Sequence, residues 1–333
     1  QLRTCYHFHT AAGIGVFHQL FESQMDALLH PDYSDEEIRR EVRNFGVAVN
    51  PADGKLRLEE KGTVYNEMVS SFERGWSRMA RAVDIAMYGP HHPLAFVSGG
   101  LPAAIRQMKP EDIRRFHAAN YQLWNMGMIA SLPAPFELEA TLARFDSALN
   151  RLQDTAPTQP SAPLYPNLPS PQSAPEGSIQ IAEYPSDNPD QSGPVIFSWG
   201  PTRQLGLRER FLLELFLENI AGDATTNLYK LIVDPQTRKI DIGATGVFGW
   251  VSSDLGNPVT IGLSAVEPRQ MNPKTLTQVR TLILKEMERV CKLPDHHPEL
   301  IEFNARVKIR SASTRLSLRQ FVNQPPGFGY RGS

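Results

Sequence analysis

Two carboxylates, Glu60 and Glu67, have the residue type and spacing in this sequence that most suggest chemistry. They enclose Lys61-Gly62-Thr63-Val64-Tyr65-Asn66 and lie seven positions apart. Val64 and Met68 are four apart, and the same period runs on through Ser71, Gly75 and Met79, which predicts one long helix from about Glu59 to Tyr88. On such a helix seven residues make two turns, so both carboxylates would point the same way. Stacked in that manner beside apolar neighbours, they can act as one metal ligand with a supporting carboxylate behind it. They can equally be a solvated acidic edge, which is what most charged pairs on helices are.

Other candidates carry less. Thr4 to Thr10 alternates Tyr6 and Phe8 with His7 and His9, predicting a strand with both imidazoles on one face. Such a pair can ligate a metal, but no third ligand follows at a motif-like distance, so an exposed strand face is the simpler expectation. His91-His92 lies in a Gly-Pro-His-His-Pro break, where adjacent rings diverge; a loop with one histidine capping or buried is expected. Cys5 and Cys291 form no Cys-x-x-Cys pair and are expected as buried free thiols. Gly13-Ile14-Gly15 lacks the third glycine of a dinucleotide loop, and neither a Gly-x-Ser-x-Gly elbow nor a Walker lysine occurs. The tryptophans Trp76, Trp124, Trp199 and Trp250 are expected chiefly as core filling.

Residue identities add to spacing. Gly62-Thr63-Val64-Tyr65-Asn66-Glu67-Met68, with a Glu seven before Glu67, resembles the segment that supplies the third zinc ligand in the insulinase/pitrilysin metallopeptidases, most of all in their presequence-protease branch. Further short motifs follow in order. His92-Pro93 with Val97-Ser98-Gly99-Gly100-Leu101-Pro102 and Ile105 resembles that branch's Ser-Gly-Gly-x-Pro-x-x-Ile turn. Phe116-His117 and Asn120-Tyr121 resemble its Phe-His-x-x-Tyr-Tyr helix end. The likeness is strong over Gly62–Tyr121 and weak in the second half, where Asn227-Leu228-Tyr229-Lys230 resembles a Ser-x-Leu-Tyr-Lys segment with Asn227 at a position usually Pro.

The resemblance implies a Zn2+ ligand at Glu67 and a supporting carboxylate at Glu60, in an endopeptidase that degrades unfolded peptides inside a closed chamber. Such enzymes bind zinc with His-x-x-Glu-His, whose Glu activates water. That motif is absent from these 333 residues. In the family it stands well upstream of the third-ligand Glu, which here falls before Gln1, and the sequence does not begin with Met. The expectation is therefore an incomplete metal site, inactive alone and completed by an N-terminal segment, a C-terminal half or a partner subunit. A non-catalytic relative serving as a peptide-binding chamber wall is the alternative.

Composition agrees with a globular chain: 41% hydrophobic and 21% charged residues, with a formal charge of −2. No basic stripe points to nucleic acid, and no apolar run approaches a membrane span. The compartment stays open between bacterial cytoplasm or periplasm and an organelle matrix. The expected fold is α+β, in two similar domains, each a mostly antiparallel sheet with helices on one face. The first spans 1–153, a proline-rich linker 154–177, and the second, either whole or cut short at its end, 178–333.

Within the first, helices are expected over Gly13–Leu29, from a Ser34 capping box, over Pro102–Met108, from Lys109 to Tyr121 and over Phe136–Leu152. A strand is expected over Met126–Leu132, and Asn50–Gly54 reads as a hairpin turn. In the second, strands are expected over Ser178–Tyr184, Pro194–Trp199, Ile240–Ser252 and Val259–Val266. Helices are expected over Leu205–Ala221, Asn272–Leu293 and from Pro298 to about Leu318.

Overall fold

A computed structural model describes residues 3–132, 136–152 and 168–323. In chain order they form α1 (Ile14–Leu29), α2 (Asp35–Val42), β1 (Asn44–Val49), β2 (Leu56–Lys61), α3 (Thr63–Phe72), α4 (Gly75–Tyr88), α5 (Pro102–Ile105), α6 (Pro110–Asn120) and α7 (Leu138–Leu152). Then come β3 (Gly193–Trp199), α8 (Leu207–Ile220), α9 (Asn227–Ile232), β4 (Gly246–Val251), β5 (Val259–Val266), α10 (Pro273–Cys291) and α11 (Pro298–Asn323). The fold is α+β, and the described residues form two small antiparallel sheets. Among the described residues no helix is long and apolar enough to cross a membrane.

Contacts group the described residues into two units: those of 3–70 with those of 97–168, and those of 71–96 with those of 169–323. This grouping places Ser71–Phe96 with the second sheet, whereas the sequence division would keep it with the first. Most of the expected linker, residues 154–167, lies outside the described residues.

The first unit, here the hairpin unit, is built on β1 and β2, paired from Asn44↔Lys61 to Val49↔Leu56. The turn between them is closed by Asn50 and Asp53, whose side chains accept from Ala52 N and Lys55 N. Ser34 caps α2 as expected: its Oγ accepts from Glu37 N, and Glu37 Oε2 accepts from Ser34 N. Phe21 of α1 meets Phe145 of α7 with ring centroids 4.8 Å apart, and Ala148 is buried beside them. His18 is buried in the same cluster, where burial lowers its pKa.

The second unit holds the sheet β3-β5-β4, antiparallel throughout. One face is covered by Leu217 and Ile220 of α8, Leu228 and Ile232 of α9, and Val279 and Ile283 of α10, packed with Ile261 and Leu263 and each at most 1% exposed. Burial of each such side chain is worth about 1.5–3 kcal/mol. α4 lies against the other face. Asn227 donates from Nδ2 to Glu286 Oε1 (2.7 Å) and Glu299 Oε1 (2.8 Å), tying the first turn of α9 to α10 and α11. Arg289 pairs with the same two glutamates.

Several expectations are corrected. The helix from Glu59 to Tyr88 is three elements: the end of β2, then α3, then α4. Gly62, at φ +127°, separates strand from helix; an added Cβ there would lie 2.7 Å from Arg43 Cα and Val42 O, so only glycine fits this turn. Between α3 and α4, Arg78 Nε donates to Phe72 O and satisfies a carbonyl the interrupted helix leaves free. Thr4–Thr10, Met126–Leu132 and Ser178–Tyr184 form no strands, because no neighbouring strand among the described residues offers them a ladder. Cys5 and Cys291 are free thiols but exposed rather than buried.

Candidate functional site

Glu60 is the penultimate residue of β2, opposite Phe45. Arg43, just past α2, donates to Glu60 Oε1 from Nε (2.8 Å). Arg106, at the end of α5, donates to Oε1 (3.0 Å) and Oε2 (2.8 Å). Tyr65 Oη of α3 donates to Oε2. Both oxygens are thus engaged by a guanidinium fork, a second guanidinium and a phenol. Arg106, then Tyr65 and Arg43, hold the Glu60 carboxyl down at about 2, and Glu60 in turn raises the Tyr65 phenol. A carboxylate so held stays ionised at neutral pH and is a poor proton acceptor. What it does is fix the end of the hairpin, the start of α3 and the end of α5 to one another.

Glu67 sits on α3, exposed, and among the described residues no hydrogen bond or ion pair reaches it. Tyr65 and Met68 of the same helix are buried. Two residues along a helix turn the side chain by roughly 200°, so Glu67 faces nearly away from Tyr65, which grips Glu60. The stacked pair on one helix face is therefore not formed: Glu60 is on a strand, because β1 captures residues 56–61 as its partner. Met68 also packs under the Gly99-Gly100 turn, both glycines at positive φ as expected; a Cβ on Gly99 would come 2.6 Å from Met68 Sδ.

The histidines do not gather. His7 and His9 lie exposed in irregular chain. His92 is buried, its Nδ1 accepting from Leu94 N (3.1 Å) and its Nε2 donating to Pro169 O (3.0 Å), as expected of a capping loop histidine. His117 Nε2 donates to Leu28 O (2.8 Å) and its ring stacks on Tyr121. Among the described residues no group of three His, Cys, Asp or Glu could hold a metal ion. By themselves these residues do not fit zinc, which needs at least three protein ligands.

Sequence reasoning missed Arg43 and Arg106. Ile105-Arg106 follows the Gly99-Gly100 turn, but nothing in the spacing marks its guanidinium as a partner of Glu60.

No family model matches the chain. It is similar to an uncharacterized protein of Saccharomyces cerevisiae, 25% identical over 238 residues and 70% of this chain. It is also similar to mitochondrial presequence proteases, of Danio rerio (28% identical, 45% of this chain) and of Xenopus tropicalis (26%, 66%). These relatives support a likeness to the insulinase/pitrilysin family, on its presequence-protease side. Its fold matches a crystal structure described as an M16-like peptidase from Alicyclobacillus acidocaldarius, with TM-score 0.54, 13% identity, and coverage of 94% of this chain and 63% of that one. The chain spans only 22%, 14% and 20% of the lengths of the yeast, zebrafish and frog relatives.

Proposed function

We propose that this chain is part of a zinc endopeptidase that degrades unfolded peptides in a closed chamber, to which it contributes one metal ligand, Glu67. What supports the reading is Glu67 itself: it sits in Gly-Thr-Val-Tyr-Asn-Glu-Met in a chain similar to presequence proteases, with a carboxylate that no described residue engages. Glu60 has a positioning role here. Through Tyr65 it fixes the first turn of α3, and so the direction in which Glu67 projects. The remaining ligands and the general base would come from a His-x-x-Glu-His segment supplied outside these residues, in the same polypeptide or a partner subunit. A peptide is the substrate class this implies.

Elemental analysis tests the reading. The 333-residue chain alone is expected to hold well under one zinc per molecule and to show no peptidase activity. A longer protein that supplies His-x-x-Glu-His ahead of Gln1 is expected to hold stoichiometric zinc, and Glu67→Gln in it to remove the metal. Stoichiometric zinc on the short chain, or zinc retained by Glu67→Gln, overturns the assignment.

One observation favours a second reading, a non-catalytic family member forming a chamber wall: the inverted zinc motif is absent from this sequence and no three-ligand group occurs among the described residues. Peptide binding without zinc or turnover in the longest native protein would select it.

A further inference from the structure

In the second unit, α4 crosses the sheet face that carries Ile196, Trp250 and Thr260, and a cavity of about 150 Å3 opens between them. Among the described residues the titratable groups lining it are Asp84 and Tyr88 of α4 and Asp254 of the loop after β4; β3 contributes Ile196 and β5 Thr260, neither charged. Asp254 Oδ2 accepts from Ser252 Oγ (2.7 Å), and Tyr88 Oη donates to Leu255 O (3.4 Å). Asp84 is partly buried, yet no hydrogen bond or ion pair from a described residue reaches its carboxylate. Desolvation and the charge of Asp254 push the Asp84 carboxyl up to about 6. Two like charges in a recess are unfavourable unless a proton or a cation joins them.

The aromatic walls say what kind of cation. Phe248 and Trp250 stack with centroids 5.6 Å apart and planes 12° from parallel, and Trp76 lies 6.0 Å from Phe248. Trp76 and Trp250 both line the cavity while keeping 47% and 37% of their surface exposed. Indole faces attract cations but do not ligate metals, and no three-ligand group is present among the described residues. A guanidinium is flat and weakly hydrated, pairs bidentately with carboxylates and stacks on aromatic rings; an ammonium does only part of this. The volume admits such a head group and is small beside the pockets that hold cofactors.

We propose that this cavity is a binding site for a guanidinium group, paired with Asp84 and Asp254 and stacked against Trp76 and Trp250. The site is independent of Glu67 and of any peptidase activity. Free arginine and the arginine side chain of a peptide present the same group.

Tryptophan fluorescence and calorimetry on the full chain test this, with free arginine, an arginine-containing tripeptide, and the same ligands carrying lysine or the uncharged isostere citrulline. At pH 7.5 the arginine ligands are expected to bind saturably, lysine more weakly and citrulline not at all. At pH 5 a proton on Asp84 competes, and affinity should fall about tenfold. Asp84→Asn is expected to weaken binding tenfold or more. If the tripeptide binds tighter than free arginine, the natural source is a peptide side chain; equal affinities make the free guanidinium sufficient. No saturation by either arginine ligand, equal binding of citrulline, or an unchanged affinity in a folded Asp84→Asn protein overturns the proposal. The citrulline comparison decides on the unmodified chain if that variant does not fold.

Discussion

Glu60 has both oxygens committed to Arg43, Arg106 and Tyr65, while no described residue engages Glu67. The two substitutions should therefore separate cleanly. Glu67→Gln is expected to shift stability by no more than about 0.5 kcal/mol, as for other surface changes, which urea denaturation would check. Glu60→Gln should destabilise, and in a pH-dependent way. The folded pKa of Glu60 is depressed to about 2, so its contribution is present above the ordinary carboxylate range and is lost as pH falls from about 4.5 toward 2. Acid titration of the unfolding midpoint is expected to be flatter for Glu60→Gln than for the parent in that interval; equal slopes would mean the clamp does not form. Glu67 was singled out in the sequence because its neighbours spell a motif. The partners of Glu60 were not, since Arg43 and Arg106 lie 17 and 46 residues away and only the fold brings them in.

At the scale of elements, what the sequence could show was local. The Ser34 box, the Asn50–Gly54 turn, the Gly99-Gly100 turn and strand Val259–Val266 are written in adjacent residues, and all form. Segments that alternate apolar and polar residues failed wherever no neighbour paired with them, because a strand is a property of two segments. Residues 59–61 failed in the opposite direction: they were expected to open a helix, but β1 drew them into the hairpin, and Gly62 ended it. Gly62→Ala is accordingly expected to cost on the order of 1–3 kcal/mol, through both its φ of +127° and the clash with Arg43 and Val42. Ser34→Ala should cost about 1 kcal/mol by removing the cap of α2. Chemical denaturation measures both, and a neutral Gly62→Ala would mean the turn can relax where the structure leaves no room.

For the whole molecule, the likeness to presequence proteases was readable from short motifs in order, and the α+β class from alternating strand and helix signals. The grouping of Ser71–Phe96 with the second sheet was not, because it depends on tertiary packing that no local pattern records. One face of the hairpin shows five large apolar side chains, Phe45, Val47, Val49, Leu56 and Leu58, each at least 55% exposed. A patch of that kind promotes association, so light scattering on the isolated chain is expected to show concentration-dependent growth that Val47→Lys reduces. The buried imidazole of His18 and the recessed carboxylate of Asp84 belong to different units, and mild acid acts on them with opposite sign. His18 has a folded pKa below its ordinary value, so the hairpin unit loses stability as pH falls through about 6.5. Asp84 has a folded pKa raised to about 6, so its unit gains stability as pH falls through about 6. Between pH 7 and 5, calorimetry should see one melting transition move down while the other moves up, which makes acidity a means of telling the two halves of the chain apart without cutting it.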